Sequence, residues 1–277
     1  MTAAPSSLSR PLFAGEIEPP PRADRRSSAI ILVILGVYAA SGPLPASATS
    51  VLIAALAVAT LLGLLFRSPH AVHAGLLTLL HFGVYRLPKV GGLWPLPLVI
   101  ILAAYGLIVR RWAWLRASSG WLRRGQLDRT SWMLIVSFVS ASAISLIAWR
   151  FWTDVDLTHF RSFVPSVPVW MIPIGIIAFA ALNAAFEEII WRGVLMHSLE
   201  AAIGRGRVAW LLQGIGFGIW HYVGFPGGWI GVGLATIFAL MMGALRMRGR
   251  GMLAPWIAHV FADVTIFVLV AAMVLAK

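Results

Sequence analysis

The sequence predicts an all-α, polytopic transmembrane helical bundle of eight or nine spans. Three observations predict it. Hydrophobic residues make up 60% of the 277-residue chain and charged residues only 12%, too apolar for a soluble domain of this length. The apolar residues fall into nine runs separated by short polar connections. The 22 Lys and Arg against 10 Asp and Glu cluster in those connections, as topology determinants and anionic-lipid contacts do, so the net charge of +12 is not read as a nucleic-acid surface. There is no cysteine, which excludes a disulfide, a thiolate nucleophile and a cysteine metal site. Thirteen tryptophans suit interfacial aromatic belts.

Residues 1–27 are polar, with Pro19-Pro20-Pro21-Arg22 and Arg25-Arg26, and read as a disordered cytoplasmic tail. The N-terminal helices occupy 28–109. The first run, 29–48, has basic residues before it and Ala46-Ser47-Ala48 after a Gly42-Pro43 break. That pattern resembles a signal peptide, but the long preceding tail and the many later spans favour an uncleaved first helix. Runs 50–66, 71–85 and 93–109 follow; 71–85 is short and suits a tilted or re-entrant segment. A basic cytoplasmic loop, 110–130, carries Trp112, Trp114 and Trp121 among arginines, and is either an amphipathic helix on the inner surface or a solvated connection. Beyond it, 131–277 holds runs 132–148, 167–190, 208–222, 229–245 and 253–276, and all the intramembrane acids and bases of interest.

Nine spans with a cytoplasmic N-terminus would put seventeen of the 22 Lys and Arg inside and five outside: Arg86, Lys89, Arg150, Arg161 and Lys277. That bias obeys the positive-inside rule and places the chain as a multi-pass protein of the cell (plasma or inner) membrane. The segment with Asp154 and Asp156 falls outside.

The chemistry concentrates where charge is most costly. Glu187, Glu188 and Arg192 close the run 167–190, and each charged residue in a spanning helix costs roughly 2.5–3.5 kcal/mol on insertion scales. Glu188 and Arg192 are four apart on one helical face, acid first, the favourable order for a pair. Glu187 is turned about 100° away and lacks a local partner; an unpaired carboxylate in low dielectric suits a general base. His221 ends the run 208–222, and His259 and Asp263 share a face of the last one. Polar groups on separate spans accumulate where they face each other or a water-filled cavity. Such a set can activate water, bind a divalent cation or relay protons. Neither G-x-S-x-G nor H-E-x-x-H occurs. His70, His73 and His81 lie near one helical face and are a second candidate metal or proton site, although with no acid beside them packing roles are the simpler reading. Gly214 and Gly218, and Gly227 and Gly231, have the four-residue spacing that lets helices pack closely, and equally lets them flex. At about 1.5 Å per residue, Glu187 and His259 fall toward the inner side, but His221 lies about 21 Å past Arg207, nearer the outer side.

Glu187-Glu188-x-x-x-Arg192, Phe217-x-x-x-His221 and His259-x-x-x-Asp263 together resemble the three-motif signature of the CPBP (CAAX protease and bacteriocin-processing, or Abi) family of intramembrane proteases, over residues 130–275. Trp191-Arg192-Gly193 and Pro255 are similar to that family's surroundings. The resemblance implies a helical core whose polar residues converge on a cavity. It implies that Glu187 and His221 hold and deprotonate the attacking water, that Glu188 pairs with Arg192, and that His259 and residue 263 stabilise the oxyanion. Family members are described both as metalloproteases and as glutamate-dependent, so a divalent metal such as zinc on Glu187, His221, His259 and Asp263, or none, both stay open. Position 263 is often Asn in the family; an Asp there donates only when protonated, and when ionised it orients His259 or ligates a metal.

The resemblance implies an intramembrane endopeptidase acting on a membrane-associated protein or peptide, with membrane lipids as surroundings, no nucleic acid, and an oligomeric state that the sequence does not state. The same buried cluster would also serve a non-catalytic membrane scaffold or a proton-coupled carrier, although no inverted repeat or pair of broken helices stands out.

Overall fold

A computed structural model describes residues 20–153, 169–204 and 206–275. The first nineteen residues of the expected tail, the segment with Asp154, Asp156 and Arg161, and also Arg205 and Lys277, lie outside the described residues. Those described contain no strand; they form a bundle of helices, α1 (Arg25–Ala40), α2 (Thr49–Leu65), α3 (Pro69–Tyr85), α4 (Leu96–Arg111), the short α5 (Ala113–Ala117), α6 (Arg129–Trp152), α7 (Ile172–Glu187), α8 (Met196–Ile203), α9 (Arg207–Trp220), α10 (Gly228–Gly249) and α11 (Leu253–Leu275). In lipid this is the expected outcome, because helices satisfy their own backbone polar groups.

Among the described residues, five helices are long and apolar enough to cross a membrane: 46–65, 129–152, 172–203, 228–249 and 253–273. The chain is thus a multi-pass membrane protein. α1, α3, α4 and α9 have 16, 17, 16 and 14 residues, shorter than the roughly 20 that span a bilayer, and they pack among the longer ones.

The structure departs from the sequence reading in three places. First, the run ending at 190 does not end its helix. α7 continues through a π-helical turn, Glu188–Leu195, into α8. Apolarity stops there because the next side chains bind a neighbour. Arg246 of α10 forms a two-pronged pair with Glu200, Nη1 to Oε1 at 3.0 Å and Nη2 to Oε2 at 3.4 Å, with both residues buried. Ser198 donates to the His70 carbonyl at 3.0 Å. Second, order begins before residue 27. Asp24 caps α1 through the Ser27 N–H at 2.7 Å, the Ala23 N–H reaches the Ala201 carbonyl at 2.9 Å, and the Ser28 hydroxyl reaches that of Ala202 at 3.0 Å. Third, 110–130 is a largely exposed connection with one short helix, but it is tied down. Its first two and last two residues belong to α4 and α6, and Ala113–Ala117 forms the short helix. Residues 118–128 are a strap bonded to the turn between α10 and α11, Gln126 N–H to Gly249 carbonyl at 2.7 Å and Met252 N–H to Arg123 carbonyl at 2.8 Å. Trp112 and Trp114 are exposed, but Trp121 is buried over Gly193.

Two of the glycine expectations separate. Gly218 and Gly214 meet α10 directly: a Cβ on Gly218 would strike Thr236 Oγ1 and lie 2.6 Å from the Val232 carbonyl oxygen, and one on Gly214 would lie 2.5 Å from Leu240 Cδ2. Gly231 instead abuts the Pro226 carbonyl, so its smallness serves the turn entering α10. The three α3 histidines do not form a common site. His70 packs edge-on against His197 with ring centroids 5.2 Å apart, His73 bonds the Tyr105 hydroxyl at 2.6 Å, and His81 bonds the Tyr38 hydroxyl at 2.7 Å.

Candidate active site

All six residues singled out by the sequence come together where the end of α7 and the π turn face α9 and α11. Helix α11 is held against α7 by Trp256, whose indole N–H reaches the Ala181 carbonyl at 3.1 Å. Pro255 sits in the first turn of α11, where a missing N–H costs nothing. His259 and Asp263 then follow one helical turn apart and face Glu187.

The charges divide as their spacing suggests. Arg192 Nη1 lies 3.1 Å from Glu188 Oε1, with Arg192 0% and Glu188 1% exposed. The approach is off-axis, so that none of the three guanidinium nitrogens makes a hydrogen bond within the described residues. The Phe217 ring covers the guanidinium at 4.4 Å, a stacking that suits a weakly hydrated, delocalised cation. Glu188 Oε1 also meets His259 Nδ1 at 2.7 Å. A carboxylate oxygen only accepts, so Nδ1 carries the proton. His259 Nε2 therefore turns toward Glu187 Oε2 at 3.5 Å and Asp263 Oδ1 at 3.6 Å.

His221 is fixed in the same way. Its Nδ1 donates to the Phe217 carbonyl at 3.0 Å, its ring stacks on Phe217 with centroids 4.0 Å apart, and its Nε2 lies 3.6 Å from Glu187 Oε2. Glu187 Oε2 is thus buried, without a hydrogen-bond partner, between two imidazole nitrogens. Each is slightly too far for a direct hydrogen bond. The expected depth mismatch disappears because the helix continues to Ile203. Counted from the facing helix ends at Ile203 and Arg207, Glu187 and His221 lie about 24 Å and 21 Å along their helices.

Glu187 and His221 open onto a cavity of about 510 Å³ walled by Phe82, Phe179, Phe225, Phe238 and Phe267 among other apolar side chains. Asn183, which sequence reasoning passed over, also lines it. Its Nδ2 donates to Glu187 Oε1 at 3.0 Å and to Asp263 Oδ2 at 3.1 Å. The available signal was its isolation: it is the single amide or charged side chain between Ile172 and Phe186, one turn before Glu187. As for a cation, among the described residues no group of three or more His, Asp or Glu side chains is arranged to hold a metal ion.

Residues 168–265 match the family model described as type II CAAX prenyl endopeptidase Rce1-like. The chain carries an Rce1-like domain. This is consistent with the CPBP family, and it indicates a CAAX-type protease, a hydrolase whose substrates are membrane-associated proteins. No curated protein and no solved structure matches the chain. The Rce1-like domain contains Glu187, Glu188, Arg192, His221, His259, Asp263 and Asn183, but it does not enclose the cavity alone. Ser41, Gly42 and Phe82 from the N-terminal helices, and Ala141 to Leu146 of α6, form part of the wall.

Proposed function

We propose that the chain is an intramembrane endopeptidase that hydrolyses a peptide bond of a membrane-associated protein or peptide with a water activated by Glu187 and His221. The observation that carries this reading is Glu187 Oε2, a buried acceptor without a partner, 3.6 Å from His221 Nε2 and 3.5 Å from His259 Nε2 at the base of an apolar cavity. A water in that gap gives one proton to Glu187 while His221 Nε2, whose lone pair is free because Nδ1 holds the proton, accepts its other hydrogen. The oxygen attacks the substrate carbonyl carbon. The developing oxyanion is met by His259 Nε2, which donates when the ring is protonated, with Glu188 holding that ring in orientation. The proton on Glu187 then passes to the leaving amine as the C–N bond breaks. Glu188 and Arg192 position and do not react. No step uses a metal, and metal analysis of active purified protein is the check on that.

The same reading places eight or nine spans in the plasma or inner membrane with the N-terminus in the cytoplasm. It is supported by the seventeen-to-five distribution of Lys and Arg.

Comparative proteomics of membrane fractions from cells carrying the wild type and Glu187→Ala identifies the uncleaved precursor, which is then tested with purified protein. Glu187→Ala and His221→Ala are expected to lower cleavage at least about 10²-fold, the lower range for losing an acid–base group. Cleavage retained in Glu187→Gln sinks the general-base role.

A further inference from the structure

We propose that Asn183 is a positioning residue, a neutral clamp that holds the carboxylates of Glu187 and Asp263 at a fixed separation and so aims Glu187 Oε2 at the attacking water. The clamp rests on the hydrolytic reading above. Its Nδ2 has two hydrogens and two acceptors, Glu187 Oε1 at 3.0 Å and Asp263 Oδ2 at 3.1 Å. Facing two carboxylate oxygens, the amide is oriented with nitrogen inward, since its oxygen would repel both. Glu187 is 6% and Asp263 5% exposed, so both carboxylates depend on donors close by. The consequence for Glu187 is a division between its oxygens. Oε1 is tied by Asn183, and Oε2 stays without a hydrogen bond between His221 and His259. Without the amide, the carboxylates of Glu187 on α7 and Asp263 on α11 would face each other with no N–H between them, and like charges at close range in low dielectric repel strongly. Glu187 would then be free to rotate, and misplacement of a reacting group by about 1 Å can cost on the order of 10²-fold in rate.

The test uses the full chain, the precursor found above, and four variants: Asn183→Leu, close in volume and apolar like the cavity; Asn183→Asp, isosteric without an N–H; Asp263→Asn, which removes one carboxylate and brings an amide to the other side; and the double variant Asn183→Leu with Asp263→Asn. Asn183→Leu is expected to lower kcat about 10- to 100-fold with KM changed less than about 3-fold, and Asn183→Asp at least as much. The penalty for Asn183→Leu is expected to shrink at least about 5-fold when Asp263 is Asn, because the new amide reaches Glu187 and the opposing charge is gone. A merely structural Asn183 would not respond to the residue at 263. Asn183→Leu within about 2-fold of wild-type kcat, or a penalty unchanged by Asp263→Asn, overturns the clamp. If the wild type cleaves nothing, the hydrolytic reading falls on its own, and the clamp is then decided by melting temperature. Shifts that are non-additive between 183 and 263 uphold it, and additive shifts overturn it.

Discussion

At the residue scale, the site divides its charges between a pair that is held and a carboxylate that faces the cavity. Glu188 Oε1 is engaged by Arg192 at 3.1 Å and by His259 at 2.7 Å, so that carboxylate is held. Each glutamate keeps one oxygen without a hydrogen bond, but that of Glu187 faces two imidazole nitrogens. Arg192→Met should therefore harm folding more than chemistry. Removing one member of a buried pair typically costs about 3–5 kcal/mol, and a fall of that size is expected in thermal or denaturant unfolding in detergent. Arg192→Lys, which keeps charge without the flat face on Phe217, should fall between. Much of this was legible in the sequence, because helical periodicity puts Glu188 beside Arg192 and turns Glu187 away. Asn183 was not. An amide in an apolar run has no pattern of its own, and its meaning depends on Asp263, 80 positions later, being across from it. The pairing of His259 with Glu188 was hidden for the same reason, since it crosses between two helices.

At the scale of elements, the strap and the π turn support each other. A Cβ at Gly193 would lie 2.6 Å from Trp121 Cε3, and an indole ring cannot fold aside. Gly193→Ala is expected to destabilise the protein by about 1–3 kcal/mol, the usual range for overpacking. The cost should largely vanish in a Trp121→Ala background, as unfolding of the two single variants and the double variant would show. The end of the strap is set by Asp128, which caps α6 through the Ser131 N–H and hydroxyl, both at 2.7 Å, and pairs with Arg248 of α10 at 3.0 Å. Partial burial pushes the Asp128 carboxyl up, but the Ser131 donors and the Arg248 charge outweigh it and hold it below the usual carboxylate range. Its stabilisation is therefore present above the unfolded value, about 3.9, and is lost as pH falls through the folded one. Asp128→Ala should cost about 0.5–2 kcal/mol at pH 7 and progressively less as acid unfolding is approached, measured as melting temperature against pH. From sequence, Arg-rich loops look solvated; the backbone bonds of Arg123, Arg124 and Gln126 to the α10–α11 turn leave no trace in side-chain pattern.

At the scale of the molecule, the half that precedes the Rce1-like domain is a wall of its cavity. Tyr38 of α1 stacks on Trp220 with centroids 5.6 Å apart and packs against Trp191 at 5.4 Å, and its hydroxyl holds His81 of α3. Gly42, just after α1, touches the backbone carbonyls of Ile219 and Trp220 so closely that any Cβ would displace them. Because His221 follows Trp220 directly, Gly42→Ala should lower kcat, by about 10-fold or more if the imidazole moves by a fraction of an ångström, while leaving cellular abundance near wild type. A cleavage rate equal to wild type would show that the wall and the imidazole move independently. The sequence marked the bundle, its apolar runs and the Gly42-Pro43 break, because composition and helical length act locally. It marked 71–85, the core of α3, as short, but did not reveal that α1, α4 and α9 are short too, or that α1 and α3 pack beside the site.

The π-helical turn Glu188–Leu195 has a further effect. In an unbroken α-helix, Glu187 and Glu200 would be rotated about 220° from each other, on largely opposite sides of the helix. Both are buried, at 6% and 4% exposure, with Glu187 meeting α9 and α11 and Glu200 meeting Arg246 of α10. The looser winding between them acts as a phase shift. It lets a single helix present one acid to the reaction chamber and a second acid to the anchor that holds α10 in place.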